Sequence, residues 1–442
     1  MAELERRYLI VGNGAAGVTA AEEIRARDRM AEVRIIGAEN HPFYSRPGLA
    51  YLLTGTIPEK GLISRTPGHF RKLGIERIVA SVRTVDAGAH RVGLSNGHSM
   101  VYDRLLLAVG ATAIRPDIPG VGLDGVVTLD SLDDAKDILR RARRARRAYV
   151  VGGGITAVEL AEGLALHGVE THYLMRGERY WSSVLDAHES ELVEGRIEHH
   201  GIRLRRSTEL AEVIGHKGRV AGIRTTAGEQ LKGDLLAVAI GIQPRLELAK
   251  AAGLPTGRGI WTDDRLQTAD QDIFAAGDVA EILDPVTGRR QIDSLWSIAI
   301  EHGRVAGENL AGGNRSYERP APFNVTKLGG VTTTLIGSVG GGGREGDLVT
   351  LARGDSSAWR EQLGAFAAAS DSGFNHLRLV LTEDRIAGAV VMGDQTLSRA
   401  LQHLVRERID IRPVREQLIL GSDAMQAGLR TLFERTVGVG PL

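Results

Sequence analysis

Two glycine runs carry the spacing most able to do chemistry: Gly12-x-Gly14-x-x-Gly17 and Gly152-x-Gly154-x-x-Ala157. Each follows an apolar tetrad, Tyr8-Leu9-Ile10-Val11 or Ala148-Tyr149-Val150-Val151, and each opens a helical pattern. In such a loop the first glycine permits a tight turn and the second lets backbone approach a pyrophosphate. The third lets the helix pack closely on its strand. The pyrophosphate then rests on the helix N-terminus, where free N–H groups and the helix dipole favour negative charge. Two loops of this kind imply two nucleotides on one chain.

The elements around the loops fit that purpose. After the first loop a helix is expected from Val18 to about Asp28, then a strand over Val33–Gly37. Glu39 follows, 22 residues beyond Gly17, where a ribose-binding carboxylate belongs. After the second loop a helix should run to about His167. A strand over Thr171–Leu174 then ends at Met175-Arg176-Gly177-Glu178-Arg179.

The chain has 442 residues, 43% hydrophobic and 25% charged, which suits a soluble globular α/β protein of two to four domains. Its formal net charge is zero, so nothing global points to nucleic acid. The longest apolar runs, Leu105–Ile114 and Leu235–Ile242, are too short to span a bilayer. A strand starting within about seven residues leaves no room for a signal peptide, so a cytoplasmic protein is expected. There is no cysteine. That excludes a redox dithiol, a persulfide and any thiolate-held cluster or zinc, and no other metal set is spaced to bind.

Two further segments identify the first nucleotide. Asp272-Ile273-Phe274-Ala275-Ala276-Gly277-Asp278-Val279-Ala280 resembles the flavin motif of the pyridine nucleotide-disulfide oxidoreductase superfamily, whose aspartate holds the ribityl chain of FAD. Asp103–Ala111 resembles the strand and turn by which that family's chain leaves its FAD domain. The resemblance implies a loop of Gly12, Gly14, Ala15, Ala16 and Gly17 on the FAD pyrophosphate, with Glu39 on the ribose. It adds Val82, Gly110, Gly277 and Asp278 to the FAD contacts.

The second loop is then the NADH or NADPH site, implied at Gly152, Gly154, Ile155, Ala157 and Gly241. NADH-binding members usually carry an acid where Met175 stands, which accepts from the ribose 2′-OH and repels a 2′-phosphate. Here Arg176 and Arg179 follow instead, and Ala157 replaces the third glycine. NADPH is therefore the expected co-substrate. The alternative is that Glu178 serves as the acid and both arginines are solvated.

His41–Leu53 resembles the Tyr-x-Arg-Pro-x-Leu segment of rubredoxin reductases, oxygenase-coupled ferredoxin reductases and the flavin module of assimilatory nitrite reductases, which carries Arg46 and Pro47 over as FAD contacts. Many ferredoxin reductases have a lysine where Tyr51 stands, paired with the glutamate matching Glu159. That pairing is in doubt here. Glu159 is either a protonated or re-paired group near the flavin or an ordinary helix glutamate. Trp296 either covers the flavin or fills core, and His302 is a polar helix residue or an acid/base group. The arginine run Arg140–Arg147 reads as the solvated face of a helix starting at Ser131, or as a docking patch for an acidic electron carrier.

From about Tyr317 the pattern turns to short antiparallel strands, at 323–330, 331–339, 377–382 and 386–392, with a hairpin turn at Glu383–Arg385. Helices are expected at Gln395–Arg408 and Asp423–Phe433, and a flexible loop at Gly340–Gly343. The expected organisation is two Rossmann-like domains and a C-terminal α+β interface domain. The FAD domain takes 1–118 and 246–316, the NAD(P) domain 119–245 and the interface domain 317–442. The resemblance implies an oxidoreductase that moves a hydride from NAD(P)H to FAD and electrons on to an iron–sulfur protein. It would act as a homodimer or as a subunit of a redox complex. Alternatives are a subunit active only inside a larger assembly, and a flavin scaffold without nicotinamide activity.

Overall fold

A computed structural model describes residues 6–283, 288–340, 366–372, 375–420 and 422–437. The chain divides into two compact units, Met1–Ala113 with Ile242–Arg319 and Ile114–Gly241 with Pro320–Leu442. Part of the expected glycine loop, 341–343, lies outside the described residues.

The first unit opens with β1 (Arg7–Val11), α1 (Ala15–Arg27), β2 (Glu32–Gly37), β3 (Ile75–Val79) and β4 (Arg104–Leu107). Apolar runs buried on both faces make β1 and β4 central strands of a parallel sheet.

In the second unit come β5 (Val126–Val127), α2 (Leu132–Ala142), β6 (Arg147–Gly152), α3 (Ile155–Leu166), β7 (Glu170–Leu174), α4 (Ala187–His199), β8 (Arg203–Arg205) and β9 (Leu235–Ala239). They form a parallel sheet in the order β5-β9-β6-β7-β8. The Ser131–Asp134 capping box starts α2 as expected. The arginine run departs from expectation, because it is not one helix face. Arg140 and Arg141 pair with Asp137 on the last turn, 143–146 form the exit, and Arg147 begins β6, bonded to Glu170 at 2.7 Å. It also lies at the N-terminal edge of the sheet, the end away from the glycine loop.

Back in the first unit, β10 (Ile273–Ala275) completes a sheet ordered β10-β4-β1-β2-β3, and α5 (Trp296–Leu310) packs along α1. Small residues set that packing. A Cβ at Gly303 would stand 2.5 Å from Ala16 O, and one at Gly307 2.7 Å from Ala20 O. Both sheets thus share a plan: the strand before the glycine loop is central, its successors lie on one side, and the returning strand lies on the other. The crevice at that switch point is where such sheets bind ligands.

The second unit ends with β11 (Phe323–Leu328), β12 (Val331–Gly337), β13 (Phe366–Ser372), β14 (Asn375–Leu381), β15 (Ile386–Met392), α6 (Ser398–Arg406) and α7 (Ser422–Val437). The antiparallel order is β11-β12-β15-β14-β13. Leu377, Leu379 and Leu381 face Leu401, Leu404 and Leu429 in an apolar core. The Gly329-Gly330 turn of the β11–β12 hairpin docks on α3 and α4. Gly330 N–H donates to Glu162, and Arg196 Nε donates to Gly329 O at 3.2 Å.

Burial pushes the Glu162 carboxyl up to about 7, against the Gly330 bond and the charges of Lys327 and Arg196. The folded state therefore favours the protonated form. The stability this contributes is complete below the unfolded value of 4.5 and is lost as pH rises through the folded value. Glu162→Gln keeps an acceptor for Gly330. It should raise unfolding free energy by about 2–3 kcal/mol near pH 8 and by much less near pH 5. Denaturant unfolding at both pH values checks this, and an equal gain at both contradicts it.

Candidate functional site

The two glycine loops are built by one steric device. Gly12 has φ 124°, and a Cβ there would lie 2.1 Å from Ala108 O, just past β4. Gly152 has φ 158°, and its Cβ would lie 2.3 Å from Ala239 O, the end of β9. Each loop is pressed onto the carbonyl of the returning strand, which no side chain permits. The third positions differ. A Cβ at Gly17 would sit 2.0 Å from Gly12 O, whereas Ala157 fits its methyl beside Gly152, fully buried.

The helices behind the loops begin without side-chain caps. Gly14 and Gly154 are the N-caps of α1 and α3, and neither offers an acceptor. By contrast α2 and α4 each open with a complete capping box. First-turn N–H groups left without a side-chain acceptor suit an anion supplied from outside. A Cβ on Gly14 meets nothing within 4 Å, so space stands open before α1. The first loop with Ala15 and Ala16 fits a dinucleotide pyrophosphate, and Gly152, Gly154 and Ile155 offer the second cradle.

In the first unit Glu39 lies two residues past β2 and accepts from Tyr44 Oη at 2.5 Å and from Arg46 Nη2. Arg46 also lies over the Tyr44 ring, 5.4 Å from its centroid. The structure thus orients the Glu39 carboxylate with two donors, a pairing that sequence reading missed. Pro47 is exposed, while Val82 and Tyr51 are half-buried. Gly110, at φ 66°, accepts from Arg245 N–H at 3.0 Å. Gly277, at φ 79°, lies against Ala16 of the loop helix, and Asp278 beside it is half-buried.

His302 is fully buried on α5, and its Nδ1 accepts from Gly277 N–H at 3.2 Å. Burial pushes it down to about 4, so the ring is neutral near pH 7 and shapes the Gly277 turn. It is placed as a support of the Gly-Asp motif, not as a solvent-exchanging acid. Trp296 is half-buried and stacked on Phe43, with ring centroids 5.6 Å apart.

In the second unit Glu159 is half-buried on α3, and Gly241 has φ 133° after β9. Met175 is buried, and its backbone bonds Arg205 and Thr208. Arg176 and Arg179 are exposed on the segment that follows, with Arg176 Nε 3.8 Å from Glu209. Two exposed cations therefore stand on the segment that follows β7.

Gly12 and Gly14 separate folding from binding. Gly12→Ala should destabilise the chain, since it forces both a clash and a strained φ. A Cβ at Gly14 meets no protein atom within 4 Å, at a φ of −89°, so Gly14→Val should leave the apoprotein melting temperature within about 1 °C of wild type. It should nevertheless purify with little flavin. Flavin absorbance per chain and a thermal melt test both, and full flavin content in Gly14→Val contradicts the cradle.

The family model for pyridine nucleotide-disulphide oxidoreductases matches residues 6–303. The chain is 33% identical over 333 residues to an NAD(P)H sulfur oxidoreductase (CoA-dependent) of Pyrococcus abyssi, covering 74% of each chain. It is 30% identical to a rubredoxin-NAD(+) reductase of Ectopseudomonas oleovorans, over 71% of this chain and 82% of that protein. A ferredoxin reductase from Rhodopseudomonas palustris shares the fold with a TM-score of 0.82 at 24% identity, covering 96% of this chain and 100% of that one. Among the described residues no helix is long and apolar enough to cross a membrane. Two glycine loops on twin parallel sheets, a Gly-Asp motif and these likenesses agree: the chain belongs to the pyridine nucleotide-disulphide oxidoreductase family and is an FAD-dependent NAD(P)H oxidoreductase.

Proposed function

We propose that this chain oxidises NADPH and delivers electrons singly to a separate iron–sulfur protein of the ferredoxin or rubredoxin kind. The observation that carries the reading is two glycine loops, each pressed on a strand carbonyl ahead of a helix without a side-chain cap, in a chain without cysteine. A family member with a redox cysteine passes electrons to sulfur substrates through its own thiol. This chain has no such relay, so the electrons must leave from the cofactor. FAD supplies the redox chemistry when bound, accepting two electrons as a hydride and releasing them one at a time.

The chain's own residues bind and orient. Gly12, Gly14 and the first turn of α1 take the FAD pyrophosphate, Glu39 the adenosine ribose and Asp278 the ribityl chain. Gly152, Gly154 and the first turn of α3 take the nicotinamide coenzyme. Arg176 and Arg179 read its 2′-phosphate, as guanidinium groups do well. The same reading divides the chain into an FAD domain (1–118 and 246–316), an NAD(P) domain (119–245) and an interface domain (317–442). The twin parallel sheets and the separate antiparallel sheet support it. A homodimer or a partnered subunit is the working form we propose.

Steady-state kinetics with both coenzymes tests the selectivity. The kcat/KM for NADPH should exceed that for NADH, and Arg176→Ala with Arg179→Ala should lower only the NADPH value, by about tenfold or more. Higher kcat/KM with NADH would sink the 2′-phosphate reading. The acceptor is tested by reducing the enzyme anaerobically and mixing it with ferredoxin, rubredoxin, quinone or oxygen. Fastest reoxidation by an iron–sulfur protein is expected, and fastest reoxidation by quinone or oxygen contradicts it.

A further inference from the structure

The strand β14 presents leucines to the core on one face, and the alternation places His376 and Arg378 on the other. A polar face of this kind ordinarily meets water. Here both side chains are sealed in, at 2% and 5% exposure, against Glu189 at 0%. Glu189 Oε1 accepts from His376 Nε2 at 3.0 Å and from Arg378 Nε at 2.8 Å. Oε2 accepts from Arg378 Nη2 at 3.0 Å and from Asp186 N–H at 2.9 Å. Asp186, Glu189 and His376 bring ligand-type atoms within 4.8 Å of one another, but the cation between them is the Arg378 guanidinium.

The cluster is tied to the segment between β7 and α4. Glu189 is part of the capping box that starts α4. Arg378 Nη2 also donates to Val184 O at 2.9 Å, and Nη1 to Val339 O at 2.9 Å. Val184 in turn closes a turn on Trp181 O, with Trp181 itself at φ 48°, a strained value for so large a residue. Tyr180 is anchored by its N–H to Glu194 and by its carbonyl to Ser190 Oγ, at 2.6 and 2.8 Å. The exposed apex Arg176–Arg179 therefore hangs between two buried anchors, Met175 and Tyr180.

We propose that Arg378, reaching from the C-terminal sheet, is a positioning residue for the coenzyme: by holding Val184 and the α4 cap it fixes the Arg176–Arg179 apex for a 2′-phosphate. This rests on the reading of those two arginines given above. By linkage, a bound 2′-phosphate must stabilise the clamp as much as the clamp favours the phosphate.

The test uses the FAD-loaded protein and the oxidised coenzymes. A lysine cannot serve both Glu189 oxygens and two carbonyls, so Arg378→Lys should loosen the segment. The Kd for NADP+ should rise about tenfold, while the Kd for NAD+ changes by less than about threefold. Amide exchange over 180–185 should quicken. His376→Gln, which leaves the Arg378–Val184 bond in place, should keep the wild-type ratio of the two Kd values. Equal weakening for both coenzymes, or an unchanged ratio in Arg378→Lys, overturns the proposal. Should Arg378→Lys fail to fold, wild-type exchange decides. Adenosine 2′,5′-bisphosphate should slow exchange over 180–189 where adenosine 5′-monophosphate does not, and equal effects overturn the clamp. A wild-type chain that binds both coenzymes alike removes the 2′-phosphate reading and the clamp with it. A preference for NADP+ that Arg378→Lys leaves intact removes the clamp alone.

Discussion

Each nucleotide cradle depends on a glycine pressed against a carbonyl. Gly12 on Ala108 O and Gly152 on Ala239 O leave no room for a side chain, and both turns need backbone that other residues rarely adopt. That contact fixes the turn onto the end of the returning strand. It points α1 and α3 so that their first N–H groups face the crevice at the sheet's switch point. Capping those helices from within, as Ser131 and Asp186 do for α2 and α4, would satisfy the donors and remove the anion site. The cradle is thus made of backbone withheld from internal bonding.

The residues around the first loop are themselves held in place. Tyr44 and Arg46 hold Glu39, and neutral His302 holds the Gly277 turn beside Asp278. These supports leave the flavin itself to do the electron chemistry. A chain with no cysteine has no other resident redox group among its side chains of the thiol class. In the reading proposed above this is a division of labour: one unit takes FAD, and the other, which also carries the antiparallel sheet, takes the coenzyme.

The local parts of this account were legible in the sequence. Strand, glycine loop and helix are contiguous, and the reason for each glycine is local. The switch to antiparallel strands after Tyr317 showed equally well. Non-local parts did not show. Arg378 and Glu189 are 189 positions apart, and the alternation around β14 reads as a solvated polar face until the packing partner is known. β13 escaped because an Ala-Ala-Ala-Ser stretch has little strand preference of its own, and pairing with β14 supplies it. The arginine run misled because charge pattern alone cannot show where α2 stops; the chain turns after Ala142 and re-enters the sheet at Arg147. The burial of His302 was hidden for the same reason, since its partner Gly277 belongs to a distant turn.

The central claim is that one chain holds both dinucleotides and passes electrons between them. Anaerobic titration of the FAD-loaded protein with NADPH, followed through the flavin absorbance, tests it most directly. The account predicts complete bleaching at about one equivalent of NADPH per flavin. A flavin spectrum unchanged by excess NADPH and NADH alike would contradict it.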